Sequence, residues 1–222
     1  MSISQTPVRW NLPNVPFHCL TEDGPKWPLR VKSKSRIEYL AAKQNRAIEK
    51  ALELYPETSH ILWIDSYYFD QTAAIETLIR DYLEHSTKAG DSIVGGPILC
   101  HNRTRIFYKV TYYDTWSTPE YDGKRWSNGW FDDNDSRSLD FEIVSGVGGV
   151  YLFPRYVWEK VGYRAPEPFP QSGCQHNWLC RESGLRVYLD WNVAFWRSVT
   201  YPPIQRLRCS LGEFLRKNPI GI

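Results

Sequence analysis

His60-Ile61-Leu62-Trp63-Ile64-Asp65-Ser66-Tyr67-Tyr68-Phe69-Asp70 is the stretch on which the reading of the fold turns. Ile61 to Ile64 are four apolar residues in a row. A strand with one wet face would carry a polar residue at every second position. An unbroken run instead reads as a strand covered on both faces, as in the middle of a mostly parallel sheet. The run stops at Asp65. Ligands of open α/β sheets bind beyond the carboxyl ends of the strands, so Asp65 is expected beside a ligand.

Helical patterns lie on both sides. Ser35 and Glu38 have the spacing of a capping box, and Ile37, Leu40, Ala41, Ile48, Ala51 and Leu52 recur at helical intervals, which predicts a helix over 35–54. Asn45 and Arg46 fall inside it. Ala74, Ile75, Leu78, Ile79, Tyr82 and Leu83 predict a second helix over 72–85, with Asp70 placed to cap it. A strand is expected over 92–99, with Gly95 and Gly96 near its end. Helix, strand, helix, strand in succession predicts an α/β fold with a mixed, mostly parallel sheet flanked by helices.

Downstream, 106–113 suits a strand, and 115–135 reads as a long loop in which Trp116, Trp126 and Trp130 could meet a sugar or simply pack. Residues 141–153 read as two strand pieces joined through Gly146, Gly148 and Gly149, whose glycines allow close approach of a ligand or form a bulge or turn. The segment lacks the Gly-Lys-Ser/Thr of a phosphate loop. Helices are expected over 154–161 and 174–182, each closed by a glycine, and a strand over 185–189. The whole chain is expected to be one domain. Residues 1–34 form an irregular, proline-broken start, 35–195 the core and 196–222 a basic tail, in which Ser210 and Glu213 suit a terminal helix.

The chain has 222 residues, 42% hydrophobic and 23% charged, which is ordinary globular composition. A net charge of +2 is too small to argue for nucleic acid, and no recognition motif is present. The five cysteines are odd in number and form no CxxC pair, so buried free thiols are expected rather than a zinc site or a disulfide framework. No segment reaches membrane-spanning length. A soluble cytoplasmic protein is expected, with peripheral membrane contact by the basic tail left open.

The helix Ile37-Glu38-Tyr39-Leu40-Ala41-Ala42-Lys43-Gln44-Asn45-Arg46-Ala47 leads into the strand ending at Asp65. The strand–glycine–strand of 145–153 follows, then Pro154-Arg155 and Trp158-Glu159-Lys160-Val161-Gly162, and last the helix 174–182 with Gly184-Leu185-Arg186-Val187-Tyr188-Leu189-Asp190. In this order the pieces resemble a GT-A fold glycosyltransferase, most closely the cryptococcal-type α-1,3-mannosyltransferase (capsule-associated) family. The resemblance implies transfer of a hexose such as mannose from a GDP- or UDP-sugar to a glycan or lipid-linked acceptor. It implies donor contacts from Asn45, Arg46, Asp65 and Tyr67, and an acceptor side formed by Gly148, Gly149 and Gln175. It also implies a D-x-D motif holding a divalent cation, Mn2+ or Mg2+, which neutralises the departing diphosphate.

Asp65 matches the first aspartate of that motif, whereas Tyr67 stands in place of the second, leaving Asp65 and the nearby Asp70 as the metal-ligating pair. Gln175 stands where many relatives have an acid, and Trp196-Arg197 where many have a late histidine ligand. Arg46 or Arg197 could instead carry the charge-neutralising role. An inverting enzyme needs a base at the acceptor hydroxyl, and Glu142 and His176 are the leading choices, with Asp140 and Asp190 also in view. Asp190 could equally start a turn. The alternative is a non-catalytic sugar or nucleotide-sugar binding module.

Overall fold

A computed structural model describes residues 2–3, 19–20, 33–65, 71–103, 108–112, 141–169 and 173–198. Short strands β1 (Ser2–Ile3) and β2 (Cys19–Leu20) pair in parallel. Helix α1 (Lys34–Leu54) starts one turn-fraction earlier than Ser35 predicts. Its N-cap is Ser33, whose hydroxyl accepts from the Arg36 amide at 3.4 Å. Strand β3 (His60–Ile64) follows, then α2 (Thr72–Ala89). The cap position of α2 falls on Gln71 rather than Asp70. The predicted strand 92–99 is two strands, β4 (Ser92–Gly95) and β5 (Ile98–Arg103), which enter different sheets. Next come β6 (Tyr108–Tyr112), β7 (Phe141–Val144) and β8 (Val150–Pro154). The chain continues through α3 (Arg155–Val161), α4 (Gln175–Ser183), β9 (Arg186–Asp190) and β10 (Phe195–Ser198).

The main sheet has the order β3-β8-β4-β9-β7, and a smaller one the order β10-β5-β6. The expected mostly parallel sheet is corrected by the pairings: within the main sheet only β4 and β9 pair in parallel, while β3–β8, β8–β4 and β9–β7 are antiparallel. The fold is mixed α/β, with a mixed sheet between helices. Among the described residues β3 is an edge strand of its sheet, not a central one. Its apolar run has another cause. Ile61 and Trp63 face a core built with α1, α3 and α4, while Leu62 and Ile64 face a second core built on α2. Two covered faces demand continuous apolarity whatever the strand's place in the sheet.

The pairings fix direction. β3, β4 and β9 run one way, β7 and β8 the other, so Asp65, Gly95–Gly96, Asp190 and the starts of β7 and β8 share one edge of the sheet. Residues 145–149 carry the chain from the low end of β7 back to the top of β8, crossing the face of β4. Val147 lies so close over Gly95 that a Cβ there would stand 2.8 Å from the Val147 Cβ. Gly95 is therefore glycine because a second segment of backbone passes over it. Among the described residues no helix is long and apolar enough to cross a membrane.

Candidate functional site

Asp65 follows the last residue of β3 and is held twice. Its amide donates to the Gly149 carbonyl at 2.7 Å, and its carboxylate Oδ1 accepts from Trp63 Nε1 at 3.0 Å. Gly149 is the centre of a three-residue turn, with the Val150 amide donating to the Gly148 carbonyl at 2.9 Å and φ +77° at Gly149. This γ-turn geometry is rare and strained for residues with a Cβ, which explains glycine at 149. Gly148 and Gly149 are both buried. The turn thus fixes where β3 hands over to Asp65.

Behind Asp65 lies a buried polar chain. The Tyr163 and Tyr151 hydroxyls meet at 2.5 Å, the Tyr151 hydroxyl meets His176 Nδ1 at 2.7 Å, and His176 Nε2 meets the Gln175 amide nitrogen at 3.2 Å. The Tyr163 ring lies 5.9 Å from that of Trp63, the residue that holds Asp65. Asn45 secures Tyr163 from α1: its Oδ1 accepts from the Tyr163 amide at 2.8 Å and from Trp158 Nε1 at 3.0 Å, and its Nδ2 donates to the Tyr163 carbonyl at 3.0 Å. The chain is uncharged at neutral pH. Burial pushes His176 down to about 3. Burial first, and the negative charge of Asp65 in lesser part, hold both tyrosine hydroxyls well above their ordinary range. Each link then carries one proton, and the hydroxyls remain donors.

No protein-family model and no curated protein matches the chain.

The geometry brings several of the residues singled out by sequence into one assembly: Asn45, Asp65, Gly148, Gly149, Gln175 and His176. Four of these act through their neighbours. Asn45 spends its amide on Tyr163 and Trp158, Gly149 bonds the Asp65 backbone, and His176 and Gln175 are sealed at 6% and 4% exposure. His176 therefore meets Tyr151, not solvent. Arg46 is exposed on α1, on the opposite side of the helix from the buried residues. Glu142 lies in β7, in register with Leu189 and one residue from the shared edge. Tyr67, Asp70 and Asp140 lie outside the described residues, as do the loop 115–135 and the tail beyond 198. Among the described residues no cluster of three or more His, Cys, Asp or Glu could hold a metal.

Sequence reasoning missed Tyr151 and Tyr163. Their signal was present: a tyrosine inside the apolar run 150–153 puts a hydroxyl where burial demands a partner. Cys174 and Cys180 are buried and in no disulfide, and the Cys174 thiol donates to Asn177 Oδ1 at 3.3 Å.

Proposed function

We propose that the chain is a nucleotide-sugar-dependent glycosyltransferase of GT-A type, moving a hexose such as mannose from a GDP- or UDP-sugar to a glycan or lipid-linked acceptor. The observation that carries this reading is the placement of Asp65. It stands at the edge where β3, β4 and β9 all end, on backbone locked by the Gly149 turn. A carboxylate at such an edge suits the anchoring of a cationic or hydroxyl-bearing donor group.

Asp65 brings one carboxylate. A divalent cation there would take its remaining oxygen ligands from the donor diphosphate and from Asp70, and would supply Lewis-acid stabilisation of the leaving group. Neutral His176 beneath Tyr151 is a positioning residue in this reading, not the base, because a sealed imidazole cannot reach an acceptor hydroxyl. Glu142, near the same edge, is the base an inverting reaction would use. A second reading is a sugar or nucleotide-sugar binding module without turnover. It is favoured by Tyr67 at the second motif position together with the burial of His176.

Calorimetric titration of GDP and UDP into the wild type and Asp65→Asn, each with Mn2+ and with EDTA, tests the donor site. Metal-dependent binding that is lost in the variant is expected. Binding of neither nucleotide under any condition would overturn the proposal. Donor hydrolysis or transfer by a protein that binds separates the enzyme from the binding module.

A further inference from the structure

β9 ends in a carboxylate sealed from water. Asp190 is 0% exposed. Its Oδ1 accepts from the Asn192 amide at 2.9 Å, the geometry of a turn-initiating aspartate. Its Oδ2 is buried and receives no donor among the described residues. What faces it from α2 is another acceptor, the carboxyl group of Asp81, whose side chain is only 13% exposed. The alignment of the two elements dictates this meeting. Tyr188 of β9 packs edge-on against His85 of α2, with ring centroids 4.3 Å apart. Two residues further along the strand on the same face, and one helical turn back, the partners are Asp190 and Asp81.

Two carboxylates in contact away from water cannot both be ionised. A buried acceptor without a donor is costly, and the cost is removed if the group carries the proton itself. We propose that Asp190 keeps its proton at neutral pH and donates it to the Asp81 carboxylate, and that this proton clasps the end of β9 to α2. A second latch holds the same segment: Gln71 at the head of α2 donates to the Trp196 carbonyl at 2.8 Å and accepts from the Trp196 amide at 2.7 Å. The turn 191–194 is thus tied to α2 on both sides, beside the edge that carries Asp65.

The surroundings favour the proton. Burial pushes Asp190 up to about 7, with Asp81 adding to the shift and the Asn192 amide opposing it. From α2, the other charged or titratable neighbours are Arg80, which pairs with Asp81 at 3.0 Å, and His85, which burial holds below its ordinary value. β4 with Gly96 and Pro97 offers none; the residue of β7 in register with Asp190 is Phe141, and the turn brings Trp191, Asn192 and Val193. Above pH ~7 the proton leaves to solvent, two negative charges face each other, and the clasp weakens.

Carboxyl carbon NMR of the full chain, with aspartate labelled, tests this directly. One aspartate is expected to titrate near pH ~7, well above the ordinary carboxylate range, and Asp81→Asn is expected to move that midpoint down. The melting temperature of Asp190→Asn relative to wild type is expected to rise between about pH 5 and about pH 8, because the asparagine amide donates to Asp81 without ionising. If Asp190→Asn does not fold, the wild-type and Asp81→Asn titrations decide alone. The proposal is overturned if every aspartate titrates in the ordinary range or if Asp81→Asn leaves the midpoint unmoved. It is equally overturned if millimolar Mg2+ abolishes the high midpoint, since the pair would then hold a cation in place of the proton.

Discussion

Asn45 shows how one side chain can look chemical in sequence and be fully employed in the fold. Its amide makes three hydrogen bonds, to the Tyr163 amide, the Tyr163 carbonyl and the Trp158 indole. Asn45→Ala leaves three partly buried polar groups without partners. Each unsatisfied group costs about 1–3 kcal/mol, so a loss near the top of the usual single-mutation range, about 3 kcal/mol, is expected in urea unfolding. Loss of nucleotide binding at unchanged stability would instead assign Asn45 to a ligand. Asn45 and Gln175 stood out only through the family resemblance, and His176 as a choice for the base. Their partners were not legible, because Tyr163 stands 118 positions from Asn45 and nothing in local spacing links them. Gly149 belongs to the same scale. With φ +77° it carries a strain that Gly149→Ala would raise by about 1–2 kcal/mol. Since its carbonyl holds the Asp65 amide, the variant is also expected to weaken any ligand bound by Asp65, which calorimetry alongside Asp65→Asn would detect.

At the scale of elements, local patterns were legible and pairings were not. The 3.6-residue repeats of α1 and α2 were clear because each helix buries one stripe: Ile37, Ala41, Ala47 and Ile48 on α1, Leu78 and Tyr82 on α2. α2 runs four residues beyond its predicted end at 85, to Ala89, since its last turn is exposed and needs no apolar residue. Strand direction left no local mark. β8 reads as a buried strand whether its neighbours run with it or against it, so the antiparallel insertion of β8 between β3 and β4 could not be seen. Gly95 and Gly96 were read only as lying near the end of a strand, and the reason for glycine at 95 is the chain's own crossing segment. At Gly95 the crossing Val147 leaves no room for a methyl group. Gly95→Ala is expected to destabilise by about 1–3 kcal/mol through overpacking. Combined with Val147→Gly, which removes both the Cβ and the Cγ1 that the added methyl group would meet, the methyl group gains space, and the double variant should lose less than the sum of the two single losses. Strict additivity in a double-mutant cycle would show that the crossing segment does not rest on Gly95.

For the molecule as a whole, the two faces of the sheet carry buried titratable groups of opposite sign. On the face covered by α1, α3 and α4, burial pushes His176 down to about 3. The unfolded chain binds a proton there that the folded chain refuses. The stability associated with neutral His176 is complete above pH ~6.5 and is lost as pH falls towards 3. On the α2 face, burial pushes Asp190 up to about 7. Here the folded chain keeps a proton that the unfolded chain releases, so the associated stability is complete below pH ~3.8 and is lost as pH rises through 7. Between about pH 4.5 and 6.5 the two effects run together and cancel, because folded and unfolded chains bind the same number of protons at these two sites. Removing either one unmasks the other. His176→Gln should become less stable as pH rises across that window, and Asp190→Asn more stable, each by about 1.4 kcal/mol per pH unit. The double variant should return to the flat profile of the wild type. Urea unfolding at three pH values on these four proteins checks the argument. If the two single variants keep parallel profiles, the opposition between the faces does not exist. If the wild type tilts as Asp190→Asn does while His176→Gln stays flat, His176 is buried neutral as described and the Asp190–Asp81 pair is not proton-linked.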